Sequence, residues 1–131
     1  MIYVDSNVPM YLVGGAHPNK PRVIELVSQL LSAREHLVTS AETFQEILHR
    51  FLALRNREQL NAAYEALETL VPLVVGVVKD DMDGARTLSG NYPELSARDC
   101  LHVAVMNRIG CSTIWSYDTG FSVVSSIQRI E

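Results

Sequence analysis

Acidic side chains follow predicted strands at separated points of this sequence. Asp5 comes directly after the first apolar segment, and Asp118 comes two residues after a later one. Glu46 lies in the helix that follows a second strand. Asp99 lies at the start of another helix, and the strand that ends just before Asp118 follows that helix. Like charges that converge at one end of a sheet repel one another unless a cation neutralises them. Oxygen ligands without Cys or His suit a hard cation such as Mg²⁺ or Mn²⁺.

Each of the four acids also has a purely structural interpretation. Asp5 can serve as a turn residue, and Glu46 lies opposite the apolar stripe of its helix, where a solvent-exposed side chain is expected. Asp99 follows Ser96 at capping-box spacing, and Asp118 stands in a turn sequence. The placement of all four acids together, rather than any one of them, favours a metal site.

The start of the third predicted helix contains two glutamates. The pattern Thr39-Ser-Ala-Glu42 matches a capping box, in which Glu42 would bond back to the backbone at the cap. Glu46 lies one turn further along the same face. We therefore assign Glu42 to capping and Glu46 to the metal site, and the choice between the two stays open.

The elements that position these acids alternate between strands and helices. Apolar and β-branched segments predict strands at residues 2–4, 36–39, 71–78, 113–116 and 127–131. Apolar spacing and cap residues predict helices at residues 7–13, 19–34, 39–54, 57–70, 80–88 and 96–108. This order predicts a single α/β domain over residues 1–131, with a parallel sheet between two layers of helices. Ligands of such sheets bind beyond the carboxyl ends of the strands.

Two local expectations follow from the same patterns. The segment 71–78 is so apolar that we expect its strand to be buried on both faces, as in parallel sheets. We expect Asn7 to cap the first helix, which would leave the Asp5 carboxylate free for metal.

The composition indicates an ordinary globular protein. The chain has 131 residues, 47% of them hydrophobic, and a net charge of −4, which argues against nucleic-acid binding through bulk positive charge. Cys100 and Cys111 have no metal or redox spacing and are expected to be reduced. The first residues do not have the pattern of a signal peptide, and no apolar run is long enough for a membrane span. We expect a cytoplasmic location and no membrane partner.

Other sites of α/β proteins fit poorly. An aspartyl phosphatase would need a second acid two residues after Asp5, and that residue is Asn7. A nucleotide-binding fold would need a glycine-rich phosphate loop after the first strand, and none occurs. The segment Asp80-Asp-Met-Asp83 resembles a calcium loop but lacks its later acids.

Four blocks of the sequence together resemble the PIN domain family, and specifically the VapC-type ribonuclease toxins of bacterial toxin–antitoxin pairs. The blocks are IYVDSN, TSAETFQEILHR, SARDCLHVAVMNRIG and IWSYDTGF, and they cover nearly the whole chain in the family's order. The resemblance implies a parallel five-stranded sheet between helices. The chain departs from the family at Gly120, a position that is often acidic, which leaves Asp118 as the only acid of the last block.

The resemblance implies a metal-dependent endoribonuclease that uses Mg²⁺ or Mn²⁺. Asp5 and Asp99 would be the principal metal ligands, Glu46 a ligand or the orienting group for the attacking water, and Asp118 an outer acid. All four are the expected catalytic residues. The neighbouring side chains of Ser6, Asn7 and Ser116 would position carboxylates or a phosphate. We expect His102 to pack or orient neighbours rather than to bind metal.

The family resemblance also implies partners. The substrate would be RNA, held by local positive charge for which Arg50, Arg55, Arg57 and Arg98 are candidates, although each also fits a solvated helix face. A cognate antitoxin protein would cover the site, and the toxin would form a homodimer. The alternative is a catalytically inactive PIN-like module that binds RNA or protein, because sequence alone does not show turnover.

Overall fold

A computed structural model describes residues 1–131 and contains five strands, six α-helices and one 3₁₀ helix. The strands are β1 (Ile2–Val4), β2 (Leu37–Ser40), β3 (Leu73–Val75), β4 (Thr113–Trp115) and β5 (Gln128–Ile130). The helices are α1 (Asn7–Val13), α2 (Lys20–Ser32), α3 (Ala41–Ala53), α4 (Arg57–Leu70), α5 (Lys79–Asn91) and α6 (Ala97–Ile109), and the 3₁₀ helix covers Thr119–Val123.

The five strands form one parallel sheet in the order β3-β2-β1-β4-β5. The predicted three-layer α/β/α fold is confirmed. The strand order reverses at β1, because the chain moves outward to β2 and β3 and then returns to β4 on the other side. The carboxyl ends of β1 and β4 therefore border the crevice in which such sheets bind ligands.

Side chains of β1 alternate between the two faces of the sheet and enter two apolar cores. Ile2 and Val4 join the core made with α1, α2, α3 and α4. Tyr3 joins the second core, with α5 and α6. This period of two explains why β1 is buried on both faces. None of the helices combines the length and apolar character that crossing a lipid bilayer requires.

The starts of two helices agree with their sequence signals. Asn56 Oδ1 accepts a 3.0 Å hydrogen bond from the Gln59 N–H at the start of α4. Ser96 Oγ accepts one of 3.1 Å from the Asp99 N–H at the start of α6, and Gly110 ends that helix with a φ of 71°. A side-chain cap satisfies an amide that the helix itself leaves unpaired.

The predicted capping box at Thr39 and Glu42 is wrong. Thr39 belongs to β2, and its hydroxyl donates a 2.8 Å bond to the Val4 carbonyl and lies 2.8 Å from Thr43 Oγ1. Ser40 occupies the cap position without a side-chain cap bond, so Glu42 is the second helical residue rather than the third. Because Thr39 pairs within the sheet, the cap of α3 is one residue later than predicted.

The expectation that β3 is buried on both faces is also wrong. Leu73 and Val74 are 51% and 43% exposed. The strand stands at the edge of the sheet and pairs only with β2. Apolar composition indicates a strand here, but the position of that strand in the sheet is set by the chain topology.

Candidate active site

The carboxylate of Asp5 lies at the carboxyl end of β1 and is 5% exposed. Its Oδ1 accepts a 2.7 Å bond from the Ser6 N–H. Its Oδ2 accepts bonds of 2.6 Å from Ser116 Oγ, at the end of β4, and 3.1 Å from Asn7 Nδ2. The two neighbouring strands thus hold this carboxylate in one orientation.

Asn7 does not cap α1, contrary to the sequence prediction. The cap position is Ser6, which makes no side-chain cap bond. The Asn7 side chain instead donates to Asp5 and, at 3.2 Å, to Ser116, and accepts from the Tyr117 N–H at 3.3 Å. Asn7 is therefore part of the network around Asp5.

Glu46 reaches the same site from α3. Ser6 Oγ donates a 2.6 Å bond to Glu46 Oε2, and His102 Nε2 is hydrogen-bonded to Glu46 Oε1. The other ring nitrogen of His102 lies 2.7 Å from the Tyr3 hydroxyl. Asp5, Glu46 and His102 each offer a potential ligand atom within 4.8 Å of the others. Both nitrogens of His102 are, however, already engaged within the protein.

Asp99 and Asp118 border the same small space from α6 and from the segment after β4. A side-chain carbon at Gly120 would lie 3.0 Å from Asp118 Oδ1 and 3.7 Å from Asp99 Oδ2. Asp118 Oδ1 also accepts a 2.8 Å bond from the Gly120 N–H and so begins the 3₁₀ helix. Its own N–H donates to Ser116 Oγ at 3.0 Å. Ser116 is consequently bonded to both Asp5 and Asp118.

The acids interact electrostatically. Burial, assisted by the negative charges of Asp118 and Asp5, raises the pKa of Asp99 to about 6. Burial likewise raises the pKa of Asp5, against the opposing effects of His102 and Ser116. Burial alone would raise the pKa of Glu46, but hydrogen bonds from His102 and Ser6 lower it below its usual range.

No lysine or arginine forms an ion pair with any of these four acids; the only charged partner is His102, at Glu46. Burial lowers the pKa of His102, while Tyr3 and the carboxylates of Glu46 and Asp5 raise it, and the balance lies well above the usual value. One imidazole does not neutralise four carboxylates. This oxygen-rich and negatively charged donor set fits a hard divalent cation.

Glu42 lies at the margin of the site. Burial raises its pKa, Glu46 adds to that effect, and His102 and Arg98 oppose it. Its side chain takes part in no hydrogen bond, whereas both carboxylate oxygens of Glu46 have partners. The capping argument that separated the two glutamates is wrong, and the bonds from Ser6 and His102 now distinguish Glu46.

A groove of about 830 Å³ reaches the site at Glu46, the one of the four acids that lines it. Its lining includes Ser6, Asn7 and Glu46, together with the basic side chains of Arg50 and Arg98. The residues that line the rest come from α1 and the two glycines after it, from the end of α3, from the α3–α4 connection and from the start of α4: Met10, Tyr11, Gly14, Gly15, His49, Phe51, Ala53, Leu54, Asn56 and Gln59. Arg55 and Arg57, the other two basic candidates, do not line this groove.

Tyr3 was predicted from the sequence only as part of a buried strand, with no connection to the site. The structure places its hydroxyl against His102 and Ser40. The available signal was a hydroxyl-bearing residue inside a short buried strand, because a buried tyrosine hydroxyl needs a partner.

This chain belongs to the PIN domain family, whose family model matches residues 2–127. It is 43% identical to ribonuclease VapC13 of Mycobacterium tuberculosis over 130 residues, which are 99% of each chain.

Solved structures share the fold at lower identity. The crystal structure of VapC20 of Mycobacterium tuberculosis, a Sarcin-Ricin loop cleaving toxin, is 22% identical, with a TM-score of 0.72 over 95% of each chain. A toxin–antitoxin complex from Klebsiella pneumoniae is 14% identical, with a TM-score of 0.67 over 100% of this chain and 97% of that one.

Proposed function

We propose that the protein is the endoribonuclease toxin of a toxin–antitoxin pair and hydrolyses RNA phosphodiester bonds with Mg²⁺ or Mn²⁺. The observation that carries this proposal is the group of acids beside the ends of β1 and β4. Asp5 and Glu46 have potential ligand atoms within 4.8 Å of one another, and Asp99 interacts electrostatically with Asp5 and Asp118. None of the four acids forms an ion pair with a lysine or arginine. The name of a 43% identical relative, a VapC ribonuclease, supports the same activity.

The proposed role of each site residue follows from its position. Asp5 and Asp99 would hold the cation, and Asp118 would be the outer acid of the set. A bound divalent cation lowers the pKa of water and stabilises charge on the phosphate oxygens. Glu46, whose two oxygens are bonded to Ser6 and His102, would be a further metal ligand or would orient the attacking water. Ser116 and Asn7 keep Asp5 aligned.

The groove that Glu46 lines is the proposed path of the RNA. Arg50 and Arg98 line it together with Glu46, so phosphates on either side of the scissile bond can meet positive charge there. Local charge of this kind is compatible with the net charge of −4, because only the groove has to be attractive to RNA.

The proposed protein partner is an antitoxin that covers the site, and the proposed assembly is a cytoplasmic homodimer. The fold shared with the Klebsiella pneumoniae toxin–antitoxin complex supports a partner of this kind. Co-purification of the chain with the product of an adjacent small gene, followed by inhibition of its cleavage, tests the pairing.

Incubation of purified protein with structured and single-stranded RNA tests the activity. We expect endonucleolytic cleavage with Mg²⁺ or Mn²⁺ and no cleavage with EDTA. Asp5→Asn should abolish cleavage, whereas Asp80→Asn, which changes an exposed acid on α5, should not. Undiminished cleavage by Asp5→Asn refutes the site. Absence of cleavage by the wild type, with RNA or antitoxin binding retained, supports the inactive module instead.

A further inference from the structure

A continuous chain of hydrogen bonds connects the second core to the candidate active site. The Tyr3 hydroxyl lies 2.6 Å from Ser40 Oγ and 2.7 Å from His102 Nδ1. His102 Nε2 is bonded to Glu46 Oε1, and Ser6 Oγ donates to Glu46 Oε2. Side chains from β1, β2 and α6, together with Ser6, are thus connected to one carboxylate on α3.

The buried side chains of this hydrogen-bond series have no alternative hydrogen-bond partners. Tyr3, Ser40 and His102 are each 0% exposed, so bulk water is not a substitute partner for their polar atoms. Every buried side-chain nitrogen and oxygen in the structure has a hydrogen-bond partner. Loss of one member would therefore leave its neighbour unpaired in the core.

The hydroxyls of Tyr3 and Ser40 allow these hydrogen bonds to form whether the imidazole of His102 is neutral or protonated. Each hydroxyl can donate one bond and accept others. If His102 Nδ1 carries no proton, Tyr3 donates to it and accepts from Ser40. If Nδ1 carries a proton in addition to the one on Nε2, Tyr3 accepts from it and donates to Ser40. In both cases Nε2–H remains directed at Glu46.

We propose that Tyr3 is a positioning residue of the ribonuclease site, acting through His102 on Glu46; this role rests on the function proposed above. Tyr3 keeps the ring in the one orientation that places Nε2 against Glu46. Without the hydroxyl, Nδ1 faces a phenyl ring with no partner, and the imidazole moves to find one. Glu46 is then held by Ser6 alone.

Tyr3→Phe tests this role, with Tyr64→Phe as the matched control. The ring of Tyr64 packs against Phe44, and its hydroxyl takes part in no hydrogen bond in the structure. For Tyr3→Phe we expect kcat to fall about 10-fold with KM for RNA nearly unchanged, and the affinity for Mn²⁺ to fall about 10-fold in calorimetry. Tyr64→Phe should match the wild type in kcat, in KM and in Mn²⁺ affinity.

The ring of His102 supplies a readout that is independent of cleavage. In metal-free protein, the ¹⁵N chemical shifts of both ring nitrogens should change in Tyr3→Phe and stay unchanged in Tyr64→Phe. Folded Tyr3→Phe with wild-type kcat, Mn²⁺ affinity and ring shifts would overturn the proposal. A fall in melting temperature alone, with those quantities retained, would assign Tyr3 a purely structural role and also overturn it.

A second variant keeps the test decisive if Tyr3→Phe does not fold. Ser40→Ala leaves both rings in place and removes only the far end of the chain, so the same quantities should move in the same direction by a smaller factor. Unchanged Mn²⁺ affinity and ring shifts in Ser40→Ala would then contradict the proposal. If the wild type cleaves no RNA, the proposed function fails, while the Mn²⁺ titration and ring spectrum still decide the role of Tyr3.

Discussion

Ser116 Oγ donates a 2.6 Å hydrogen bond to Asp5 Oδ2 and thereby connects the ends of two neighbouring strands that are 111 residues apart in sequence. The same oxygen accepts from the Asp118 N–H at 3.0 Å. One buried hydroxyl consequently aligns the first and the last acid of the site.

Removal of that hydroxyl should impair the site more than the fold. Ser116→Ala deprives Asp5 of a donor and leaves the Asp118 N–H without its acceptor, so we expect cleavage and Mn²⁺ affinity to fall about 10-fold. The loss of unfolding free energy in urea should be about 1 kcal/mol. Ser125→Ala, at an exposed serine, is the control. Equal activity of the two variants would show that Ser116 does not align the acids.

Asp99→Asn should stabilise the metal-free protein at neutral pH. The folded pKa of about 6 lies above the ordinary value of 3.8, so the ionised carboxylate disfavours the fold above pH 6. The difference between 3.8 and about 6 corresponds to about 3 kcal/mol, and solvent screening of this half-buried carboxylate reduces the expected stabilisation at pH 7 to about 1 to 2 kcal/mol. This stabilisation should disappear as the pH falls toward 4. Urea unfolding in EDTA between pH 4 and pH 8 measures it. If Asp99→Asn is less stable than the wild type at pH 7, the ionised Asp99 carboxylate does not destabilise the fold.

The ion pair between Asp81 and Arg108 should matter for stability but not for chemistry. Arg108 Nε and Nη2 donate to the two carboxylate oxygens of Asp81 at 2.7 and 3.0 Å and so join α6 to α5. Arg108→Met leaves the buried Asp81 charge unpaired and should lower the urea midpoint clearly. Arg86→Met, an exposed change on α5, should not.

The pH dependence of that pair has the opposite sign to that of Asp99. Hydrogen bonds from Arg108 hold the pKa of Asp81 below its usual range. Its contribution to stability is therefore present above the ordinary pKa of an aspartate and is lost as the pH falls below it. The folded fraction of Arg108→Met should cleave RNA at the wild-type rate, and a lower rate would place this pair in the site.

Arg50 and Arg98 should contribute to RNA binding. Replacement of either by Ala should weaken RNA affinity in EDTA, and the slope of log affinity against log salt should become shallower by about one for each phosphate that is no longer neutralised. Arg57→Ala, a change outside the groove, should leave the slope unaltered. If all three variants behave alike, the RNA does not follow this groove.

Local sequence signals predicted most of the fold because each is a short-range physical effect. The bounds of α4 agree with prediction, since Asn56 supplies a cap and apolar residues recur along one side of the helix. The failures at Thr39 and β3 have a different origin. Thr39 is held in a strand by the Val4 carbonyl, and the exposure of β3 depends on its place at the sheet edge. Both depend on interactions that are remote in sequence.

In the candidate site, too, the features with local sequence signals were predictable and those that depend on remote residues were not. Asp5 and Asp118 were recognisable as candidates because each follows an apolar strand, and Glu46 and Asp99 because each lies in a helix next to such a strand. The family pattern then supported all four. The connections among them were not predictable, because Ser6 meets Glu46 over 40 positions and Tyr3 meets His102 over 99. The assignment of Asn7 to capping failed for this reason, since its side chain is taken by Asp5 and Ser116.

We propose that these carboxylates form one divalent-cation site that serves RNA cleavage. The most direct test of this proposal is an anomalous difference map from crystals of the wild type grown with Mn²⁺, compared with crystals of Asp5→Asn. We predict a peak bounded by the carboxylates of Asp5 and Asp99 in the wild type and none in the variant. A wild-type map without a peak there, from protein that cleaves RNA with Mn²⁺, would contradict the account.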